Sequence, residues 1–293
     1  MSTIKRCFHS RHPDGFLIEV DYSQLEVIVL AHLTRDPTLT SDILSGMDMH
    51  TVRAAELFNV PEKDVTKEMR TFTKTFSFQL QYGSGPKNMA ETTGASIDLA
   101  KQFIANYYAR YPMVKQWQDD RIEEVKKNAC PILKNTPSCL QVYEGHYTSE
   151  TGRRYVFETY DPPAWMRNPS PLQFSPTQIK NYMIQGTATG DIVPMMLGEL
   201  YSAIKNWEGH HGVKNQILMI NTVHDSILLD VPQKHLIDAI NLIEEVLKNT
   251  TNFYFETFKK RFNLPLRFEI EVGKNWEDMV SVNKIKEKVD SVV

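Results

Sequence analysis

Four residues spaced four apart could do chemistry together. Arg70, Lys74, Phe78 and Tyr82 lie in the stretch VTKEMRTFTKTFSFQLQYGSG, residues 65–85. On a helix of 3.6 residues per turn each four-residue step drifts by roughly 40°, so all four stay within about 120° of one face. Two permanent cations followed by two aromatic rings suit a triphosphate and then a sugar and base. The same spacing suits an ordinary amphipathic helix with solvated cations and buried rings. Two acids form a second set. Asp21 ends the apolar run FLIEVDY, and Asp225 sits between the apolar runs QILMINTV and SILLDV. An aspartate after a strand also serves as a cap for the next helix. If the two strands are neighbours, however, the carboxylates meet, and like charges that close require cations between them. Hard divalent ions with oxygen ligands, such as Mg²⁺, are the natural choice. Two such ions about 3.5–4 Å apart clamp the attacking and leaving oxygens of a phosphoryl transfer. Together the two sets indicate two-metal phosphoryl chemistry on a nucleotide.

Elements capable of positioning these residues can be read along the chain. Its 293 residues, 41% hydrophobic and 24% charged, can build one large domain or two small ones. Net charge is −3, so any nucleic-acid surface must be a local patch. Cys7, Cys130 and Cys139 are odd in number and lack a CxxC spacing, which argues against a disulfide framework or zinc site and for a reducing compartment. The polar N-terminus is unlike a signal peptide, and no apolar run approaches the ~20 residues that span a bilayer. No membrane partner and a cytoplasmic location are therefore expected. Residues 16–22 read as a strand and 23–34 as a helix with Glu26 in its first turns. Pro37 and the polar run after it break the pattern. Residues 46–128 read as almost wholly helical, with His50 at a helix start and a break near Pro112. Thr66 is placed to cap the helix that carries Arg70, and Gly83 and Gly85 to end it.

The character changes at 129–176, which is proline-rich around a hairpin at 143–157. A long helix is expected over 178–207 despite Gly186, Gly190 and Pro194, with Asn181 and Gln185 on one face. Polar residues so spaced are usually solvated, and Gly186 permits close approach of another backbone. Residues 216–231 read as a hairpin with His224-Asp225 at its tip, an unfavoured pair for a tight turn, which is where function tends to override propensity. A further amphipathic helix over 233–262 and a strand at 266–272 follow. The lysine-rich end is expected to fray.

The motifs resemble those of the family A DNA polymerases, the bacterial DNA polymerase I group. Asp21-Tyr22-Ser23-Gln24-Leu25-Glu26 resembles the first polymerase motif. The spacing Arg70-x3-Lys74-x3-Phe78-x3-Tyr82-Gly83 resembles the second, on the fingers helix, and Val223-His224-Asp225 resembles the third. Ala31-His32-Leu33-Thr34, Asp48-Met49-His50, Gln185-Gly186-Thr187-Ala188 and Val272-Gly273-Lys274-Asn275-Trp276 fall between and after them in family order, so the resemblance covers about residues 5–280.

The resemblance implies an α+β fold: an antiparallel palm sheet with packed helices, and a mostly helical fingers subdomain. The palm would comprise 1–45 and 171–293, with fingers and a connecting hairpin at 46–170. It implies template-directed DNA synthesis on primer–template DNA from deoxynucleoside triphosphates, with two Mg²⁺ ions, or Mn²⁺ in their place. Asp21 and Asp225 would hold both metals, assisted by the Tyr22 carbonyl. Glu26 would exclude a 2′-hydroxyl. Arg70, Lys74 and His50 would hold the triphosphate, and Lys74 would neutralise or protonate the leaving pyrophosphate. Phe78 would pack on the sugar and Tyr82 would lie near the templating position. Asn181 and Gln185 would touch template or primer, and His224 would support the primer end. Three departures bear on rate and fidelity: Ser226 stands for the usual glutamate, Ser77-Phe78-Gln79 for Asn-Phe-Gly, and Thr177 for an arginine. Only twenty residues precede Asp21, so thumb and exonuclease domains are expected to be absent. Two alternatives stand beside that reading: the C-terminal half of a split polymerase, a division plausible in a bacteriophage, that is inactive without a separate thumb/exonuclease polypeptide, or a non-catalytic nucleic-acid-binding relic.

Overall fold

The computed structural model describes residues 3–81, 83–137, 139–161 and 172–283. The chain divides into two compact units, Met1–Ile28 with Thr187–Val293, and Val29–Gly186. The opening strand β1 (Phe16–Tyr22) is followed by helices α1 (Leu25–Thr34), α2 (Pro37–Leu44), α3 (Met49–Phe58), α4 (Lys67–Gln81), α5 (Pro86–Thr93), α6 (Ile97–Arg110) and α7 (Pro112–Lys127). Then come β2 (Cys130–Asn135), β3 (Gln141–Thr148) and β4 (Arg154–Glu158), helices α8 (Pro176–Gln185) and α9 (Val193–His210), and the hairpin β5 (Leu218–Val223) and β6 (Ser226–Val231). Helices α10 (Leu236–Lys248) and α11 (Thr250–Phe258) and strands β7 (Phe268–Gly273) and β8 (Met279–Ser281) end the described chain. Mixed helix and antiparallel sheet is the expected α+β class. The cluster of prolines around 162–171 and the lysine-rich end beyond Val282 and Asn283 lie largely outside the described residues.

The first unit is built on a five-stranded sheet, β5-β6-β1-β7-β8, with β1 at its centre. β1 pairs antiparallel with both β6 and β7. Its apolar residues explain the central place: Leu17, Ile18, Val20 and Tyr22 are all buried. β6 is buried along its whole length, its apolar Ile227, Leu228, Leu229 and Val231 together with the polar Ser226 and Asp230. At the end of β1 the Tyr22 hydroxyl lies 3.2 Å from Thr250 Oγ1, tying the sheet to the start of α11. Asp21 does not cap the next helix, which begins at Leu25 after a left-handed Gln24 at φ 58°.

The N-terminal segment folds back on this sheet. Ser10 donates to buried Asp230 at 2.5 Å, Phe8 packs edge-on against Trp276, and Lys274 bonds the carbonyls of Asp14 and Gly15. The expected helix over 233–262 is two helices, α10 and α11. They meet at Asn249, whose φ of −94° and ψ of 6° leave the helical region, and the Thr250 hydroxyl bonds back to the Leu247 carbonyl.

The second unit packs α3, α4 and α6 through aromatic contacts. Phe72, Phe76 and Phe103 form a chain of rings 4.5 and 5.3 Å apart. Arg53 is buried beneath them, donating to Ser77 Oγ at 2.9 Å and lying over the rings of Tyr107 and Tyr111. Residues 37–44, read from sequence as irregular, form α2, because the buried Asp36 caps it through the Leu39 amide and Pro37 occupies its first turn. The hairpin expected at 143–157 forms β3 and β4, with β2 added to its edge. Around it Val125, Tyr147, Tyr155, Phe157, Ile179 and Met183 make a core that holds α7 and α8.

The long helix expected over 178–207 is interrupted. α8 ends at Gln185, residues Gly186–Ile192 make wide π-helical turns, and α9 begins at Val193. Pro194 has no amide hydrogen to close an ordinary turn onto residue 190, so the ladder must widen before it. Gly186 is approached closely not by another backbone, as expected, but by a side chain. A Cβ there would stand 2.0 Å from the Tyr155 hydroxyl.

Candidate active site

In the first unit, β1 alternates Glu19 and Asp21 onto one face of the sheet. Register sets Glu19 directly opposite Glu271 and Asp21 directly opposite Glu269 on β7, and on the other side Asp21 opposite Ser226 on β6. Like charges directly across a strand pair are unfavourable, and here two such pairs lie side by side. The β5–β6 hairpin then brings Asp225 to the same place through a two-residue turn whose first residue, His224, is held at φ 57°. That backbone is uncommon for a residue with a Cβ, though histidine tolerates it better than most.

Asp21, Asp225, His224, Glu19, Glu269 and Glu271 line a cleft of about 370 Å³. Lys5, which lies 4.6 Å over the Trp276 ring, is the lysine among the lining residues. Partial burial first, then Asp225 and the three glutamates, push the Asp21 carboxyl up to about 6, although the residue stays exposed to solvent and the charges around it are the firmer cause. The cleft therefore disfavours its own negative charge.

The structure thus brings Asp21, Asp225 and His224 together. Tyr22 is buried and its hydroxyl lies against Thr250. Glu26 lies in the first turn of α1 in the same unit, half-buried. Sequence reading missed Glu19, Glu269 and Glu271. The signal was present: Glu-x-Asp in the first strand and Glu-x-Glu in the last put acids on one face of two strands.

The second unit assembles the cationic set. Along α4, Thr73, Phe76, Ser77 and Leu80 are buried, while Arg70, Lys74 and Phe78 are exposed. The ordinary amphipathic reading therefore fails at Phe78. Phe78, 42% exposed, is not core; Phe76 takes that place. Lys74 Nζ lies 5.6 Å over the Phe78 ring, and the His50 ring centre is 6.2 Å from that of Phe78. Arg70 Nε donates to Asp48 at 2.6 Å. Asp48 caps α3, accepting from the amides of His50 and Thr51. Burial first, then the charges of Arg53, Lys74 and Arg70, lower His50 to about 4, outweighing Asp48, so it is neutral near pH 7.

Asn181 and Gln185 share a face of α8. Asn181 is buried, not solvated, and its Oδ1 has no hydrogen-bond partner among the described residues. Tyr82 lies outside the described residues. No group of three or more His, Cys, Asp or Glu side chains among them is arranged to hold a metal alone. The donors nonetheless fit Mg²⁺, which is commonly bound by one or two carboxylates and completed by substrate phosphates and water. No helix of the described residues is long and apolar enough to cross a membrane.

Comparison with known proteins bears on this arrangement. Residues 1–278 match the family model for DNA polymerase family A. DNA polymerase I of Geobacillus stearothermophilus is 28% identical over 275 residues, covering 94% of this chain and 27% of that protein. The DNA polymerase of Bacillus phage SP01 is 28% identical over 286 residues, again 94% of this chain and 27% of its own length. The chain thus spans about a quarter of the length of these curated relatives. The POL domain of Pol1 from M. smegmatis, solved in complex with DNA primer-template and dNTP, superposes with a TM-score of 0.71 at 25% identity. The match covers 94% of this chain and 42% of that one.

Proposed function

The chain belongs to DNA polymerase family A, and from that premise we propose that it transfers deoxynucleoside monophosphate from a deoxynucleoside triphosphate to the 3′-hydroxyl of a DNA primer, directed by a template. The observation that carries this reading is the convergence of Asp21 and Asp225, from strands about 200 residues apart in sequence, on a cleft lined by further acids. A site crowded with unneutralised carboxylates is costly to the fold, and the cost makes sense where cations are to be held.

Two divalent cations held by Asp21 and Asp225, with the Tyr22 carbonyl, would activate the primer hydroxyl and stabilise the charge on the transferred phosphoryl group. This chain's own residues have the remaining work. Arg70 and Lys74 bind the triphosphate. His50, neutral at pH 7, contributes a hydrogen bond in place of charge. Lys74 gives the leaving pyrophosphate a positive partner or a proton. Phe78, kept out of the core, offers its ring to the sugar. Glu26 occupies the space that a 2′-hydroxyl would need. Asn181 and Gln185 contact template or primer beside the new pair, and His224 supports the primer end.

Primer extension by the purified chain with Mg²⁺ and deoxynucleoside triphosphates tests the reading. Asp21→Asn and Asp225→Asn should each lower incorporation by at least about 10²–10³-fold, with the far-UV spectrum of the fold retained. Near-wild-type extension by either variant would remove the two-metal assignment.

A further inference from the structure

Asp48 uses both carboxylate oxygens, for two different purposes. Oδ1 caps α3, receiving the His50 amide at 3.1 Å and the Thr51 amide at 3.4 Å. Oδ2 receives Arg70 Nε at 2.6 Å and the Thr51 hydroxyl at 2.8 Å. Asparagine or serine would cap the helix as well as aspartate does. The contact to Arg70 is what requires a carboxylate. That contact does little for the fold: the two side chains are 45% and 43% exposed, and exposed ion pairs contribute little after the entropy of holding both side chains. Its short length is therefore better explained by where it puts the guanidinium. A carboxylate built to occupy the arginine would take two donors of the fork at once. Asp48 takes Nε alone and leaves the Nη1 and Nη2 edge, the edge suited to a bidentate grip on phosphate. Burial alone would raise the Asp48 carboxyl, but the bonds from Arg70 and Thr51 outweigh it and hold it at about 2, so the pair is fully ionised at working pH.

We infer that Asp48 is a positioning residue for the triphosphate: it fixes Arg70 by its inner nitrogen, leaves the outer guanidinium edge for phosphate, and ties that grip to the start of α3, where His50 sits. The inference rests on the proposed triphosphate role of the α4 face.

Calorimetric titration of the full chain with Mg²⁺-dATP at fixed ionic strength tests it. Asp48→Asn and Asp48→Ser both keep a capping oxygen and remove the charge. Each should weaken dATP binding about 5- to 20-fold while leaving the chain folded, with no more than a modest fall in the thermal transition from the lost exposed ion pair. In an Arg70→Ala background, Asp48→Asn should cause no further loss, because there is no guanidinium left to position. Unchanged or tighter binding in the single variants would overturn the inference. So would an equal loss with Arg70 already gone, since the effect would then run through the helix start. A wild-type chain that binds no dATP would overturn the proposed triphosphate site itself, a result distinct from wild-type binding that ignores Asp48.

Discussion

Asp21 sits where its own charge is least welcome. Burial, Asp225, Glu19, Glu269 and Glu271 all raise its carboxyl, to about 6 against an ordinary 3.8. A carboxyl whose folded value lies above its unfolded value binds protons more tightly in the native state. Stability linked to it is fully present below about pH 3.8 and is lost as pH rises through about 6. Asp21→Asn removes that loss. Without divalent cations the variant should melt higher than the wild type at pH 7.5, and the difference should shrink toward nothing near pH 4. Adding Mg²⁺ should stabilise the wild type more than the variant, because a ligand of the native state raises apparent stability. Thermal melts at the two pH values, with EDTA and with Mg²⁺, measure both effects. A variant less stable than the wild type at pH 7.5 in EDTA would contradict the electrostatic account. Stability is being spent here on an arrangement of charge that the fold alone has no use for.

At the scale of the element, α4 depends on how it stops. Gly83 ends it with φ at 76°, and a Cβ there would stand 2.8 Å from the Thr177 Cα. The Thr177 hydroxyl also donates to the Gly83 carbonyl at 3.1 Å, so the helix end is pinned to the start of α8. Gly83→Ala meets both a left-handed backbone and a backbone atom that cannot move aside. It should destabilise the second unit by about 2–4 kcal/mol. Gly85, two residues on, has negative φ and open space around its missing side chain. Gly85→Ala should change stability by less than about 1 kcal/mol. Denaturant unfolding of the two variants separates these cases; equal effects would mean that the Gly83 turn is not constrained as described. The stop matters to the site because it fixes where the last turn of α4, just beyond Phe78, can lie.

At the scale of the whole molecule, charge decides what can be held. Net charge is −3, and the first unit gathers five carboxylates in one cleft. Binding to a duplex comes mostly from basic residues on phosphates and weakens with salt. A chain with this balance should bind primer–template DNA weakly, losing about 10-fold or more between 50 and 200 mM salt. Mg²⁺ should strengthen the binding by offsetting the acidic cleft. Fluorescence anisotropy with a labelled primer–template measures this directly. Tight binding that ignores salt would place the duplex contacts somewhere other than a local basic patch. A second polypeptide offering its own duplex contacts would raise affinity through effective concentration, and a titration with such a partner belongs in the same assay.

Periodicity and covalent spacing were enough to mark which residues share a face or flank a strand, and the family motifs suggested what they do. Arg70, Lys74 and Phe78 share a helix face because they are four apart on α4, and the short apolar runs beside Asp21 and Asp225, flanked by turn residues, read as strands that put one acid near a strand end and the other in a hairpin turn. Such patterns are local, and each residue carries them whatever the rest of the chain does. Partnership was a different matter. That Asp21 lies opposite Glu269, and Glu19 opposite Glu271, is a fact of register between strands roughly 250 residues apart, and a slip of one residue would have turned every one of these acids to the other face. Which ring joins the core, Phe76 or Phe78, was settled by α3 and α6 packing against one side of α4. That Arg70 is held by Asp48, 22 residues away, depended on a helix start and a helix side meeting in space. Contacts of this kind are set by the packing of distant segments, which no local run of residues encodes, and only the tertiary structure decided them.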